Sequence, residues 1–172
     1  MKIVRKSMLA LLLAASVPMT GQAAGIVSTV VTASDDIVVS SNAEATVTAT
    51  GRTDLIAGNY PANFVVATWS ASVTAGTVAY RLTRAVNGAF GTFGPIWGLS
   101  VNSSDSSKSI AIGLNVPGDE AGTQVTENGW RVLQQGKSKI SNGAVLLAYT
   151  NSSYALTPGS YPIGIEVAAY AY

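Results

Sequence analysis

The twelve residues Tyr161 to Tyr172, YPIGIEVAAYAY, constrain the fold more than any other stretch. They alternate: Ile163, Ile165 and Val167 share one face, and Gly164, Glu166 and Ala168 share the other. A period of two marks a half-buried β-strand. No sequence follows Tyr172, so a neighbour for this strand has to come from earlier in the chain or from another chain. An apolar strand with an open edge is a template for pairing. The N-terminal part of the sequence offers a spare extended segment. The expectation is a subunit that completes its fold with a strand from the next copy.

The 172 residues suit one domain. The first of them read as a secretory signal peptide, residues 1–23. Lys2, Arg5 and Lys6 form a positive start, and Met8 to Val17 form an apolar core too short to span a bilayer. Pro18 breaks that core, and Gly21-Gln22-Ala23 supplies small residues for cleavage after Ala23; cleavage after Ala24 fits nearly as well. No second stretch is long and apolar enough for a membrane-spanning helix. The chain has ten Lys/Arg and nine Asp/Glu; removing the three cations of the leader leaves seven against nine, a net charge of −2. That balance gives no electrostatic case for nucleic acid or anionic lipid. With no cysteine, a secreted domain of this kind must rely on its core, on sheet pairing or on association rather than on disulfides.

Short runs of strand formers fill the mature sequence. They lie near Ile26–Ala33, Asp36–Ser40, Ala45–Thr50, Asn63–Val73, Val78–Ala85, Ile96–Val101, Ser109–Val116, Trp130–Gln134, Ala144–Thr150 and Tyr161–Ala171. Turn signals separate them: Ala57 to Pro61, Asn87-Gly88, Pro117-Gly118-Asp119, Asn128-Gly129, Asn142-Gly143 and Thr157-Pro158-Gly159. Asn-Gly is the strongest short hairpin signal, because both residues tolerate positive φ. The pattern is that of an all-β sandwich or barrel. Asn102 to Ser107 reads as a solvated loop.

Residues 24–42 stand apart, with almost no turn signal. Val27, Val31, Ile37 and Val39 share one parity; Ile26, Val30 and Val38 share the other. On one reading this segment is simply the first strand of the sandwich. On the other it is a donor strand for a neighbouring subunit, facing it with Val27, Val31, Ile37 and Val39. Asp35 shares that parity and sits awkwardly in an apolar groove, unless it lies at the rim or at a bulge.

Four stretches resemble a known family, the chaperone–usher fimbrial subunits, and within it the atypical Saf-type and Sef-type pilins. They are Asp36 to Ser41 with Ala45 to Thr48; Leu55 to Asn59; Ser109 to Leu114; and Pro158 to Val167 with Tyr170. The resemblance implies an incomplete immunoglobulin-like β-sandwich over residues 43–172 that lacks its last strand. Residues 24–42 would be the donor extension. Ile163, Ile165, Val167 and Tyr170 would belong to the final strand beside the acceptor groove. It further implies a structural subunit that passes through the periplasm to a cell-surface fimbria, serving adhesion. Its partners would be a periplasmic chaperone, an outer-membrane usher, further copies of itself and, in an adhesive role, a host receptor.

Chemistry finds little support. Without His or Cys there is no Ser-His or Cys-His nucleophile, and zinc loses its two best ligand types. Asp35 and Asp36 point to opposite faces of a strand, and Asp119-Glu120 follows a Pro-Gly turn and reads as solvated. The Ser-rich stretch ending at Lys108 reads as solvent loop rather than as a Ser-Lys dyad. No enzyme activity, catalytic residue, metal or cofactor is expected. Phe90, Phe93, Trp97 and Trp130 suit core packing or a sugar platform, and Trp69 suits the core. Two rivals remain. A tip adhesin would not need the 24–42 extension. A small outer-membrane β-barrel needs one continuously apolar face, whereas Tyr172 lies on the parity of Glu166, opposite the Ile-Ile-Val row.

Overall fold

Residues 43–88, 94–148 and 153–172 are described by the structure, a computed structural model. The strands expected at Ile26–Ala33 and Asp36–Ser40, with donor residues Val27, Val31, Ile37 and Val39, lie outside them. So do Phe90 and Phe93.

The described chain forms strands β1 (Ala45–Gly51), β2 (Gly58–Pro61), β3 (Val65–Val73) and β4 (Thr77–Leu82), then a helical turn α1 (Arg84–Asn87). Next come β5 (Trp97–Val101), β6 (Ser109–Asn115), a second helical turn α2 (Gly118–Ala121), β7 (Val125–Glu127) and β8 (Trp130–Val132). The rest is β9 (Lys139–Leu147), β10 (Ser153–Leu156) and β11 (Ile165–Tyr170). One sheet has the order β1-β3-β9-β6-β5 and another the order β11-β4-β8-β7; β10 and β2 pair separately. Every pairing is antiparallel. Among the described residues neither large sheet closes on itself, as in a sandwich rather than a barrel.

Period-two alternation builds the core. In β3, Ala67, Trp69, Ala71 and Val73 are buried in step, and Val66 joins them where the register to β9 shifts. Trp69 meets Tyr80 of β4 at 5.1 Å between ring centroids, stitching one sheet to the other. Burial pushes the Tyr80 phenol up to about 12, and its hydroxyl donates to Gln124 Oε1. In β6 the run Ile110 to Leu114 is buried throughout, as suits a strand covered on both faces.

One turn lies where the sequence places it, and four departures from that reading have local causes. Asn128-Gly129 is the hairpin turn expected, with φ of 49° and 78° between Glu127 and its partner Trp130. Asn87-Gly88 is not a hairpin; Asn87 ends α1 and is fully buried. Asn142-Gly143 lies inside β9, where Gly143 leaves room for the Trp69 indole; an added Cβ would stand 2.5 Å from that ring. The stretch Gly58–Pro61, read as turn, is strand β2, paired to β10. Asn102, read as solvated, is buried; its amide donates to Thr157 Oγ1 and the Pro158 carbonyl.

Candidate functional site

On one side of the sandwich both large sheets end in a strand with an unpaired outer edge among the described residues. One sheet ends in β1 and the other in β11. The two strands lie near each other without sharing a ladder. They run in opposite directions: β1 begins, and β11 ends, beside the Thr74–Gly76 turn, since Ala45 pairs with Val73 and Tyr170 with Thr77.

The facing sides are apolar and underburied. Thr46 and Thr48 point outward, where their hydroxyls meet Ser72 and Ser70 at 2.8 and 2.7 Å. Ala45, Val47, Ala49 and Gly51 therefore share the side of buried Val73, Ala71, Trp69 and Ala67, yet all four are exposed. Across the gap, Ile163, Ile165, Val167 and Ala169 pack on the core and remain half-buried. An inward-facing strand face that is still wet lacks a covering element among the described residues.

Each end of this groove opens into a cavity of about 540 Å³. At the alanine end the lining is Ala43, Ala45, Gly76, Ala168, Ala169 and the last residues of β11. Gly76 matters there: at φ 83°, an added Cβ would lie 2.7 Å from the Tyr170 carbonyl oxygen. At the other end, Val66, Ile110, Ile112, Leu156 and Ile163 make an aliphatic floor, rimmed by Arg52, Ser100, Thr157 and Tyr161. Arg52 donates through Nε and Nη2 to Asp54, and its guanidinium lies 5.1 Å from the Phe64 ring centroid. The Arg52 hydrogen bond holds the exposed Asp54 carboxyl below its ordinary range.

Buried polar side chains fix the lead-in to β11. Asn87 donates to the carbonyls of Leu99 and Pro162 and accepts from the Gly164 N–H. Ser100 Oγ donates to the same Pro162 carbonyl at 2.7 Å, and the Thr83 N–H bonds the Gly164 carbonyl. Residues 161–164 thus hold their course without a ladder, and regular pairing with β4 starts only at Ile165. Nothing local in the sequence marks Ser100 or Asn87 for this task. Arg52 could have been noticed as the first cation after Lys6.

Of the final-strand residues expected at the groove, the structure brings Ile163, Ile165 and Val167 together on the core side. Tyr170 lines the alanine-end cavity but has the opposite parity. Its ring meets Tyr172 at 5.2 Å on the outer face, and a hydrogen bond to Glu127 raises its pKa. Alternation dictates this, because an even-numbered residue cannot share a face with Ile165 and Val167. Glu166, on that outer face, pairs with Arg81 at 2.6 Å, and Arg81 in turn stacks 4.1 Å above the Trp130 ring. Trp97 and Trp130 belong to different sheets and form no shared platform. Glu120, read as solvated, accepts from the N–H groups of Ser141 and Asn142 and ties α2 to β9. Among the described residues no group of three or more acidic side chains is placed to hold a metal ion.

No family model matches the chain, and no curated protein does. Several solved structures share its fold, among them the following two. The Salmonella SafD adhesin is 14% identical, with a TM-score of 0.57 over 74% of this chain and 88% of that one. The E. coli Hda pilus minor tip subunit, HdaB, is 12% identical, with a TM-score of 0.56 over 74% and 84%. The fold is accordingly an all-β, immunoglobulin-like sandwich.

Proposed function

We propose that the protein is a subunit of a bacterial surface fimbria that takes an extended strand from another subunit into the β1–β11 groove. The observation that carries this is the pair of sheet edges left unpaired among the described residues on one side, with core-facing Val47, Ile163, Ile165 and Val167 left wet between them. Strand addition answers both defects at once: main-chain hydrogen bonds satisfy the edges and alternate side chains fill the groove. Each Val or Ile so buried contributes roughly 1.5–3 kcal/mol. The likeness to an adhesin and to a pilus tip subunit supports the same reading.

On this proposal residues 1–23 direct export and are removed, and residues 24–42 are the donor, with Val27, Val31, Ile37 and Val39 on its inward parity. A periplasmic chaperone fills the groove first, and an outer-membrane usher exchanges it for the next copy's donor. The role is structural and adhesive, not enzymatic. Two placements in the fimbria follow. A repeating shaft subunit accounts for the donor-like segment. A tip or minor adhesive subunit with a host receptor accords with what the two structural neighbours are described as.

Electron microscopy of material secreted by cells expressing the chain with its chaperone and usher tests the proposal. Filaments labelled along their length by an antibody to this protein are expected for a shaft, and label at the ends alone for a tip. Membrane vesicles carrying the protein, without filaments, would overturn the fimbrial role.

A further inference from the structure

Arg52 is the single charged side chain lining either cavity of the groove among the described residues. The segment 24–42 carries two charges, Asp35 and Asp36, and no cation. Arg52, already paired with Asp54, thus has a counterpart of opposite sign in a segment whose charge is all negative and confined to two adjacent residues. Asp54 occupies Nε and Nη2 of Arg52, which leaves Nη1 as donor for a second carboxylate.

Lengths agree with that pairing. From Tyr161 at the Arg52 end to Ala169 at the alanine end is a separation of eight residues, and so is Val27 to Asp35. A strand running antiparallel to β11 with Asp35 opposite Tyr161 brings Val31 opposite Ile165 and Val27 opposite Ala169. Directly opposed residues in an antiparallel pair share a face, so Val27 and Val31 cover the apolar floor. Asp35 then reaches the rim that holds Arg52, Ser100, Thr157 and Tyr161 rather than the middle of the groove. Direction also separates a neighbour's strand from the chain's own. The chain's own segment arrives at Ala43, at the alanine end. Folding directly back into its own groove, it would run parallel to β11.

We infer that Arg52 is a register-setting site: it pairs with Asp35 of the neighbouring copy's 24–42 segment, which lies antiparallel to β11 with Val31 against Ile165. The inference rests on the strand-accepting function proposed above, and deepens it by naming what the groove reads. Charge complementarity of this kind fixes register and partner choice more than total affinity.

The test is a charge swap in the full-length protein, assembled with its chaperone and usher. Arg52→Glu alone and Asp35→Lys alone are each expected to lower filament yield about five- to tenfold, the scale of one partly screened ion pair and its reversal. The double swap is expected to restore yield to within about twofold of wild type. Arg52→Gln, checked for an unchanged circular dichroism spectrum, guards against simple misfolding. The chain has no cysteine, so a Val31→Cys copy mixed with an Ile165→Cys copy is expected to form a disulfide-linked dimer across the joint. Unchanged yield in Arg52→Glu, failure of the double swap to rescue, or the absence of a disulfide-linked dimer from the Val31→Cys and Ile165→Cys mixture would each overturn the inference. Failure of the wild type itself to assemble would instead count against the strand-accepting function.

Discussion

At the scale of the residue, the fold depends on a few side chains whose role is invisible without their partners. Asn87 is fully buried and spends its amide on Leu99, Pro162 and Gly164. Asn87→Ala leaves the Gly164 N–H without its acceptor, and an unsatisfied buried donor costs about 1–3 kcal/mol. The melting temperature should fall by several degrees per kcal/mol lost, and the Gly164 amide should lose protection from hydrogen exchange. An unchanged melt with Gly164 still protected would show the clamp to be idle. Gly143 is the complementary case. Gly143→Ala drives a methyl into the Trp69 indole, with an expected loss of about 1–3 kcal/mol. Trp69 is buried, so denaturation midpoint and tryptophan emission maximum should shift together in this variant.

At the scale of the element, α2 and β9 are joined through one carboxylate. Burial works to raise the Glu120 pKa, but the N–H groups of Ser141 and Asn142 and the Asn142 amide outweigh it, so the net shift is downward. A depressed folded pKa means the link is complete above the ordinary glutamate value of about 4.3 and is lost as pH falls through the lower folded value. Wild type should therefore lose amide protection at Ser141 and Asn142 on acidification below about pH 4.3, whereas Glu120→Gln should show no such step; a step of equal size in both would dismiss the link. Elements with strict alternation were legible from the sequence: β3 and β11 lie where period two places them. Of three Asn-Gly pairs, only Asn128-Gly129 forms a hairpin turn. The others yield to tertiary partners, Asn87 to its buried hydrogen bonds and Gly143 to Trp69. Strands β2, β7 and β10 span three or four residues each, too short for alternation to register, and β2 carries Gly58 and Pro61. Likewise the core-facing row of β11 was readable from Ile163, Ile165 and Val167. The β1 wall was not, because Ala and Thr alternate with too little contrast in hydrophobicity, and the Arg52–Ser100 rim comes from residues distant in sequence.

For the whole molecule, stability should depend on what fills the groove. In the register inferred above Ala24 stands opposite Tyr172, so a short flexible linker after Tyr172 can carry residues 24–42 back along β11 as a hairpin. The tether raises effective concentration to about the millimolar range. This rearranged protein is expected to stay monomeric on size exclusion, and to melt roughly 10 °C above a chain lacking residues 24–42. Continued filament formation would mean that residues 24–42 are not the donor. The opposite directions of β1 and β11 also have a mechanical consequence. In the proposed fimbria, a donor strand seated lengthwise between them would be stretched along its own axis when tension pulls two subunits apart. Its hydrogen bonds to the sheet edges then share the force in shear, rather than opening one by one as in peeling. Such a joint resists flow through the slowness of its rupture, and it does so without a covalent crosslink in a chain that has no cysteine.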